Sequence, residues 1–531
     1  MAAPKGGDEP SSSGPFPVKE QLPGVDFCIT TTPPWHESII LGFQHFIVML
    51  GTTVMIPTVL VPQMGGGLDE KAKVIQTLLF VSGLNTLLQT LFGCRTSIVV
   101  GGSYAFVVPA ISIIYTGHFV HIINPHERFR ETMKAIQGAI MFSSMFPIVI
   151  GVLGLWRIVL RVLSPLAAIP LVTLTGLGLL QYGFPLLAKC SAIGIPALVV
   201  LVFLSQYFGS LLKPFQTPGR RYAPIATIAV ISAFAAILTA AKAFKNSSLD
   251  TQFYCRTDQT GLIGATSWVR FPYPFQWGRP TLNVPNGFAM MAAAFVSLVE
   301  STGSFIATAR YGSATPIPPS VVGRGATWLG VGHFLNGAFG ATTGAVASVE
   351  NAGLLGLNQI GSRRVAQIAA LFMLFFSVLG KFGALLASIP LPVFAAVNCV
   401  LYAYVASAGL DFVQFCNLNS FRTKFILGIS LYMGLSVPQY FNDFLSVERR
   451  TPVYTHSMAF NSLVQVIFTS PATVGGIIAL FLDLTLHRSH PSTRKDSGKH
   501  WWTKFKTFDG DSRSEEFYSL PWGLNKYFPS V

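Results

Sequence analysis

Two carboxylates lie inside strongly apolar stretches of this sequence. Glu300 lies in "FVSLVESTGSFIAT", and Glu350, followed directly by Asn351, lies in "GAVASVENAGLLGL". A carboxylate at membrane depth costs at least ~2.5 kcal/mol, so we expect both side chains to face the protein interior and to bind a partner there. An ionised carboxylate can accept two N–H donors, which suits the edge of a planar heterocycle, and a buried one can also exchange a proton. The pair therefore predicts a site in which one carboxylate binds the ligand and the other exchanges a proton. The alternative is a pair of interhelical hydrogen bonds.

Aromatic rings and main-chain groups could complete such a site. Tyr104 and Phe106, in "VVGGSYAFVVP", could stack on a planar ligand, or they could be core aromatics. If helices begin near Phe106 and just before Gly353, their free N–H groups could also bind the ligand.

Polar side chains interrupt two further apolar segments. Gln44 and His45 lie in "GFQHFIVMLGTTVMIP", where His45 is either a structural partner or a proton carrier. Asn336, in "HFLNGAFG", is either a helix-packing amide or a group that holds site residues in place without contacting the ligand. The sequence has no Walker loop, no dinucleotide fingerprint and no His-Glu-x-x-His. We therefore predict no catalytic residue, no metal site, no cofactor and no ATP-driven transport.

The composition is that of a membrane protein. Of 531 residues, 51% are hydrophobic and 11% are charged, and a typical soluble domain has about twice that charged fraction. The net charge of +14 lies mainly in short loops and in the C-terminal tail, where membrane orientation explains it better than nucleic-acid binding. The six cysteines show neither metal-ligand spacing nor a paired framework. We expect small core residues, with Cys255 alone in a long loop.

Fourteen apolar segments are predicted to cross the membrane. They are residues 38–60, 74–93, 98–116, 134–155, 164–184, 191–211, 223–241, 287–309, 321–340, 345–361, 365–388, 391–411, 422–440 and 461–486. Because seven precede the long loop and seven follow it, we expect a duplication whose second copy is inverted across the membrane. Gly, Ser or Pro break the third and tenth segments at matching positions, which in transporters indicates the binding site.

These segments define an all-α polytopic membrane protein. We divide the chain into an N-terminal tail (1–37), a first seven-span repeat (38–241), an extracellular loop (242–286), a second seven-span repeat (287–486) and a C-terminal tail (487–531). The basic residues of the predicted inner loops favour cytosolic termini. Asn246 then begins an Asn-x-Ser glycosylation sequon on the outer side.

Several stretches resemble the nucleobase–ascorbate transporter family, also called nucleobase–cation symporter 2, and its plant branch in particular. They include "GFQHFIVMLGTTVMIPTVLVPQMGG", "GGSYAFVVPAISI", "FVSLVESTGSF", "VASVENAGLLGL", "GSRRVAQIAA" and "FKTFDGDSRSEEFYSLPWGLNKYFP". The resemblance implies a core domain and a gate domain, an elevator-type motion and a homodimer. It also implies that the substrate lies between the third, eighth and tenth spans, with Glu300 and Glu350 as its acidic contacts.

The resemblance assigns roles to further positions. Ser304 stands where some relatives have a site His, so it is a candidate substrate contact. Gln44 and His45 match a family pair in the first span. Asn336 stands where several nucleobase members have an Asp, which changes the usual proton-coupling network.

The chain departs from the family motif at one end of the tenth span. Glu350, Asn351 and Gly353 match the motif, but Asn358 and Gln359 stand where the family has Thr and then Arg, Lys or Gly. In the family these two positions shape selectivity, so substrate choice is least predictable there.

The leading hypothesis is proton-coupled uptake of purine or pyrimidine bases, of the xanthine, uric acid, uracil and guanine class, across the plasma membrane. The coupling ion is expected to be the proton rather than sodium. One alternative is the transport of ascorbate or another small organic anion. Another is a non-transporting membrane receptor derived from a transporter.

Overall fold

The computed structural model describes residues 21–115, 117–211, 216–258, 264, 266–448, 451–487, 496–508 and 511–526. Within these residues, seven helices are long and apolar enough to cross a membrane, and one bent pair passes the same test together. The predicted span 365–388 is instead built from two shorter helices, residues 363–378 and 380–387. The count of fourteen spans therefore stays a prediction.

The helices of the first half are α1 (Trp35–Gln63), α2 (Leu68–Leu91), α3 (Val107–Ile114), α4 (Gly117–Val120), α5 (Pro125–Val152), α6 (Leu155–Val162), α7 (Pro165–Leu177), α8 (Phe184–Ala188), α9 (Ser191–Val202), α10 (Phe208–Leu211), α11 (Gln216–Ala240) and α12 (Leu249–Cys255). Short 3-10 helices cover Tyr104–Phe106 and Leu180–Tyr182, and a π-helical turn, Phe203–Tyr207, joins α9 to α10.

The helices of the second half are α13 (Val284–Tyr311), α14 (Pro319–Phe339), α15 (Val349–Asn358), α16 (Arg363–Val378), α17 (Gly380–Ala387), α18 (Leu391–Leu410), α19 (Phe421–Glu448), α20 (Met458–Phe468), α21 (Pro471–Thr485), α22 (Lys499–Trp502) and α23 (Ser512–Tyr518). Further 3-10 helices cover Asp411–Phe415, Thr503–Phe505 and Pro521–Lys526.

The protein is all-α, as predicted, but each of the two interrupted segments also contains a short strand. Strand β1 (Val100–Gly102) precedes α3, strand β2 (Ala345–Ala347) precedes α15, and the two strands pair antiparallel. A Cβ atom on Gly101 would lie 1.6 Å from Met49 Cε, so a larger residue at this position would require the flexible Met49 side chain to move. The pairing satisfies backbone groups that the broken helices leave free, which membrane depth requires.

The long helices form two sets. The first set comprises α1, α2, α5, α14 and α16, and the second comprises α7, α9, α18, α19 and α21. Helices α13 and α15 lie between the sets and contact members of both. The strand pair packs against α1, α2 and α14 of the first set and against α13.

The last predicted span, 461–486, is two helices rather than one. Helices α20 and α21 meet at an angle of 83°. Ser470 caps α21 by accepting the Thr473 N–H, and Pro471 is the first residue of that helix. Because proline lacks an N–H and favours the first turn, it begins a new helix here.

A disulfide joins Cys190 and Cys255, with their Cα atoms 5.5 Å apart. The prediction that Cys255 is alone was therefore wrong, because a separation of 65 residues leaves no local spacing pattern to detect. The bond ties the start of α9 to the end of α12. Both cysteines lie in or beside segments predicted to face outward, where disulfides persist.

The described parts of the C-terminal region pack against the membrane helices. Three arginines from other parts of the chain surround the C-terminal end of helix α23. Each of them donates a hydrogen bond to a main-chain oxygen. Arg363 Nη2 lies 2.7 Å from the Phe517 oxygen, Arg324 Nη2 lies 2.8 Å from the Tyr518 oxygen, and Arg95 donates to the Ser519 oxygen. The oxygens at a helix C-terminus carry partial negative charge, so cations stabilise them.

Tyr518 fixes the same segment from the other side. Its side chain is fully buried, and its hydroxyl donates to the Thr315 oxygen at 2.6 Å. Trp502, earlier in this region, packs edge-on against Phe412 at 5.5 Å between ring centroids. The described parts of the C-terminal region are thus packed on the rest of the molecule.

Candidate functional site

Glu350 occupies the second position of α15, directly after β2. It is 3% exposed. Its Oε1 atom accepts hydrogen bonds from Thr52 Oγ1 at 2.5 Å and from the Tyr402 hydroxyl at 3.2 Å, and its Oε2 atom accepts one from Ser348 Oγ at 2.7 Å. The start of a helix also favours negative charge. Three donors and the helix end together stabilise an anionic side chain in an otherwise apolar interior.

Asn351 is held by His45 from helix α1. The His45 Nδ1 and Asn351 Oδ1 atoms are 2.8 Å apart, and Asn351 Nδ2 donates to Ser348 Oγ at 3.0 Å. Both side chains are fully buried, and His45 Nε2 has no hydrogen-bond partner within the described residues. His45 therefore lies one side chain away from Glu350 and orients the residue next to it.

Tyr104 lies beside the same carboxylate, whereas Phe106 does not. The Tyr104 hydroxyl is 3.4 Å from Thr52 Oγ1, and its ring stacks on Tyr182 with centroids 3.9 Å apart and an angle of 16°. Phe106 is fully buried and packs on the ring of His333 at 5.2 Å. Of the two predicted stacking aromatics, only Tyr104 is joined to the Glu350 network.

Glu300 lies on α13, a continuous helix that is fixed to β2. Ser301, the next residue, accepts the Ala347 N–H at 3.0 Å. Glu300 is partly buried, and its Oε1 atom accepts from Ser470 Oγ at 3.0 Å. One turn further, Ser304 is fully buried, and its hydroxyl has no hydrogen-bond partner in the part of the chain that the structure describes.

Gln44 and Asn336 lie away from Glu350. The Gln44 amide donates to the Arg221 main-chain oxygen at 3.2 Å, at the beginning of α11. The Asn336 amide donates to the Thr343 oxygen at 2.9 Å and accepts from Asn85 at 3.0 Å. Asn336 thus supports the turn that leads into β2, and Gln44 packs α1 against α11.

Gly353, Asn358 and Gln359 define the rest of helix α15. A Cβ atom on Gly353 would lie 2.0 Å from the Leu401 main-chain oxygen, so this glycine permits close contact with α18. Asn358 accepts the Ile360 N–H at 3.0 Å, and Gln359 ends the helix with a φ of 59°. Nine residues of helix place Gln359 about 13 Å along the axis from Glu350. These two residues therefore lie at the far end of the helix that carries Glu350.

Several site residues were not predicted from the sequence. They are Thr52, Tyr182, Ser348, Tyr402 and Ser470, together with His333, which accepts the Ala345 N–H at 2.8 Å. Thr52 lies seven residues after His45 on α1, so helical spacing could have indicated it. Tyr402 carries no local signal, because it lies in an apolar helix. Ser470 has a local signal for a helix start, in the proline that follows it, but none for its contact with Glu300.

The groups brought together here could bind a polar, planar molecule. Within the described residues, no group of three or more His, Cys, Asp or Glu side chains could hold a metal ion. The groups available are a carboxylate with hydroxyl partners, a second carboxylate, a free hydroxyl and a pair of stacked tyrosines. Such groups recognise hydrogen-bonding heterocycles.

Two solved structures are distantly similar to this chain. The transmembrane domain of the cyanobacterial bicarbonate transporter BicA is 13% identical with a TM-score of 0.41, covering 85% of this chain and 99% of that chain. The murine solute carrier 26 family member A9 is 13% identical with a TM-score of 0.45, covering 86% of this chain and 68% of that chain. At these TM-scores, neither likeness carries an argument about the fold.

Sequence comparisons are decisive. A family model described as the permease family matches residues 36–442. Nucleobase-ascorbate transporter 4 of Arabidopsis thaliana is 59% identical over 516 residues, covering 97% of this chain and 98% of that protein. Nucleobase-ascorbate transporter LPE1 of Zea mays is 54% identical over 514 residues, again covering 97% of this chain and 98% of that protein. The chain therefore belongs to the nucleobase–ascorbate transporter family, and it is an integral membrane transporter rather than an enzyme.

Proposed function

We propose that this transporter takes up purine or pyrimidine nucleobases, of the xanthine, uric acid, uracil and guanine class, together with protons. The observation that carries the proposal is the buried Glu350 carboxylate, which three hydroxyl groups hold at the point where two interrupted segments meet. A carboxylate at this position can accept N–H groups from one edge of a base. Ascorbate has no N–H group to donate to this carboxylate, which disfavours ascorbate as the substrate.

The hydrogen-bond capacity of Glu350 limits how a base can bind. A carboxylate has about four acceptor positions, and three are used here. A base that donates two N–H groups must therefore displace one hydroxyl. We assign this exchange to Tyr402, whose hydrogen bond is the longest of the three at 3.2 Å and which lies on the second helix set. Asn351 and the Ser304 hydroxyl would contact the remaining polar atoms of the base.

The stacked tyrosines suggest how the site opens. Tyr182 covers the ring of Tyr104 at 3.9 Å between centroids, which leaves no room for a base between them. Tyr104 lies beside the first helix set, whereas Tyr182 follows α7 of the second set. In this proposal the base replaces Tyr182 on the face of Tyr104 as the two sets move apart.

Glu300 is assigned to proton coupling. Its one hydroxyl partner, Ser470, begins α21 of the second set, so a relative motion of the sets would break this hydrogen bond. A carboxylate that loses its donor inside a membrane protein favours its protonated form. His45, Gln44 and Asn336 would act indirectly, by holding Asn351, α1 and the turn before β2. Asn358 and Gln359 would tune selectivity from the end of α15.

The wider architecture is proposed in the same way. The first helix set would form the core domain and the second the gate domain of an elevator-type homodimer with fourteen spans in two inverted seven-span repeats. Both termini would face the cytosol, and the protein would lie in the plasma membrane. The Cys190–Cys255 disulfide supports an outward position for residues 242–286, because such bonds persist in oxidising compartments.

Uptake of a panel of labelled bases tests the proposal. The protein is expressed in cells that lack base transport, and uptake is normalised to protein at the cell surface. We expect uptake of at least one base, which a protonophore abolishes and which sodium removal leaves unchanged. A lack of uptake for every base would disprove base transport, and dependence on sodium instead of the protonophore would disprove proton coupling. Ascorbate is not expected to compete, and competition would favour the alternative substrate.

A further inference from the structure

A cavity that is open on one side lies apart from the Glu350 network, none of whose residues line it. It is enclosed by the end of α6, the end of α13 with the turn that follows it, the 3-10 helix after α18 and the C-terminal segment 499–506. Much of its wall is apolar, from Leu160, Leu163, Ile306, Ala309, Val322, Phe412, Phe415 and Phe505. None of the residues proposed to bind a base lines it.

The described charged residues that line this cavity are all basic. They are Arg161, Arg310, Lys499 and Lys506. Arg310 pairs with Asp411 at 2.6 Å. Within the described ranges, the other three make no ion pair with a carboxylate. An apolar wall beside three uncompensated cations fits a molecule with an apolar body and an anionic end.

The position of α6 indicates where such a molecule would come from. Trp156 and Leu160 pack inward, whereas Leu155, Ile158 and Val159 are exposed on the outer side, with Ile158 56% exposed. A short helix with an outward apolar face and a basic residue at its end lies at the level of lipid headgroups. A cavity at the end of such a helix would open beside the bilayer rather than into bulk water.

We propose that this cavity binds one acidic phospholipid of the cytosolic leaflet. The phosphate would lie against Arg161, Lys499 and Lys506, and an acyl chain would lie along the apolar wall. Basic pockets between membrane helices on the cytosolic side bind such headgroups. The lipid would then bridge α6 and the C-terminal segment. The proposal needs the orientation given above but not the nucleobase substrate, and its test measures no transport.

Native mass spectrometry of the purified full chain measures the binding. The protein in detergent receives phosphatidylserine or phosphatidylcholine at equal concentration, and the lipid-bound fraction is counted. We expect retained phosphatidylserine and little phosphatidylcholine. The double variant Arg161→Gln/Lys506→Gln should lower phosphatidylserine retention about tenfold or more, because each basic side chain near a membrane surface contributes roughly a factor of five. Both side chains are exposed, so the variant should fold.

The matched control is Lys424→Gln/Lys504→Gln, which removes two exposed charges whose side chains do not line the cavity. It should retain phosphatidylserine as the unmodified protein does. Equal retention in the two double variants, or equal binding of both lipids, would overturn the proposal. Soluble glycerophosphoserine should not displace the lipid, and if it did, the site would recognise only a phosphate group and the acyl-chain assignment would be wrong. If the double variant elutes as aggregate, Lys506→Gln alone should still lower retention, and unchanged retention there would count against the site.

Discussion

Glu350 and Glu300 lie on neighbouring segments that both contact β2, yet their surroundings differ. Glu350 is almost fully buried at a helix start and has three hydroxyl donors. Ser348 belongs to the same segment, Thr52 to α1 and Tyr402 to α18. Glu300 lies in the middle of a long helix and has a single donor, from the start of α21. If the helix sets move apart as proposed, the first acid would keep most of its partners and the second would lose its partner. An acid that keeps its donors suits binding, whereas an acid with one breakable contact suits proton exchange.

Removal of the Glu350 charge should have the largest effect. We expect Glu350→Ala to abolish base uptake, because it removes the acceptor and leaves three buried hydroxyl groups unpaired. Glu350→Gln should lower uptake at limiting base roughly 100-fold, since hydrogen bonds to a charged group contribute about 1.5–3 kcal/mol. Initial uptake rates normalised to surface protein measure both. The control is Asp443→Asn, an exposed acid bonded to Gln439 alone within its helix, which should transport normally. Wild-type uptake by both Glu350 variants would refute the assignment.

Glu300→Gln should separate binding from coupling. The glutamine can still accept a hydrogen bond from Ser470, but it cannot take up a proton. We expect base exchange between two sides of equal concentration to persist, while accumulation against a gradient and sensitivity to a protonophore disappear. Exchange and accumulation are measured in the same proteoliposomes, with and without an imposed pH gradient. If accumulation persists and still responds to the pH gradient, the division of roles between the two acids is wrong.

The two donors to Glu350 Oε1 should have opposite effects on affinity. Thr52→Val removes a donor that remains bonded to Glu350 when the base is bound, so KM should rise about tenfold. Tyr402→Phe removes the donor that the base must displace, so KM should fall about threefold. A substrate titration of uptake rates measures both variants side by side. A rise in KM for Tyr402→Phe equal to that for Thr52→Val would show that no hydroxyl is exchanged.

Ser304→Ala should have the smallest effect. Its hydroxyl is buried without a hydrogen-bond partner among the described residues, so its loss should leave the thermal stability of the substrate-free protein unchanged or slightly higher. If the base supplies the missing partner, KM should rise about threefold. Thermal unfolding in detergent and substrate titration together test this. Reduced stability without a change in KM would make Ser304 a structural residue rather than a substrate contact.

The sequence predicted elements whose signal is local. Long apolar runs indicated most helices, and the Gly and Ser residues around Glu350 and near Tyr104 indicated the interruptions. Ser348, three residues before Asn351, is a typical helix start and caps α15 as such. The bend at Pro471 had a local signal as well, because a Ser-Pro pair favours a new helix.

What could not be predicted depends on partners that lie far apart in the chain. Thr52 and Tyr402 meet at Glu350 although they are 298 and 52 residues from it. The same holds for Cys190 and Cys255. Nothing in the hydropathy pattern specifies which face of α18 meets α15, since that depends on how closely Gly353 lets the helices approach. The acids were therefore identifiable from sequence, but their different surroundings were not.

The arginine cluster at the end of α23 recognises main-chain oxygens rather than side chains. Arg95, Arg324 and Arg363 would form the same hydrogen bonds with almost any residue at positions 517–519 that keeps the helix end. A saturation mutagenesis library should thus tolerate many changes at the partly exposed Ser519 and few at the three arginines. During evolution, the three arginines should be retained while the residues that they contact vary. A search for covariation within the C-terminal segment would therefore miss this attachment.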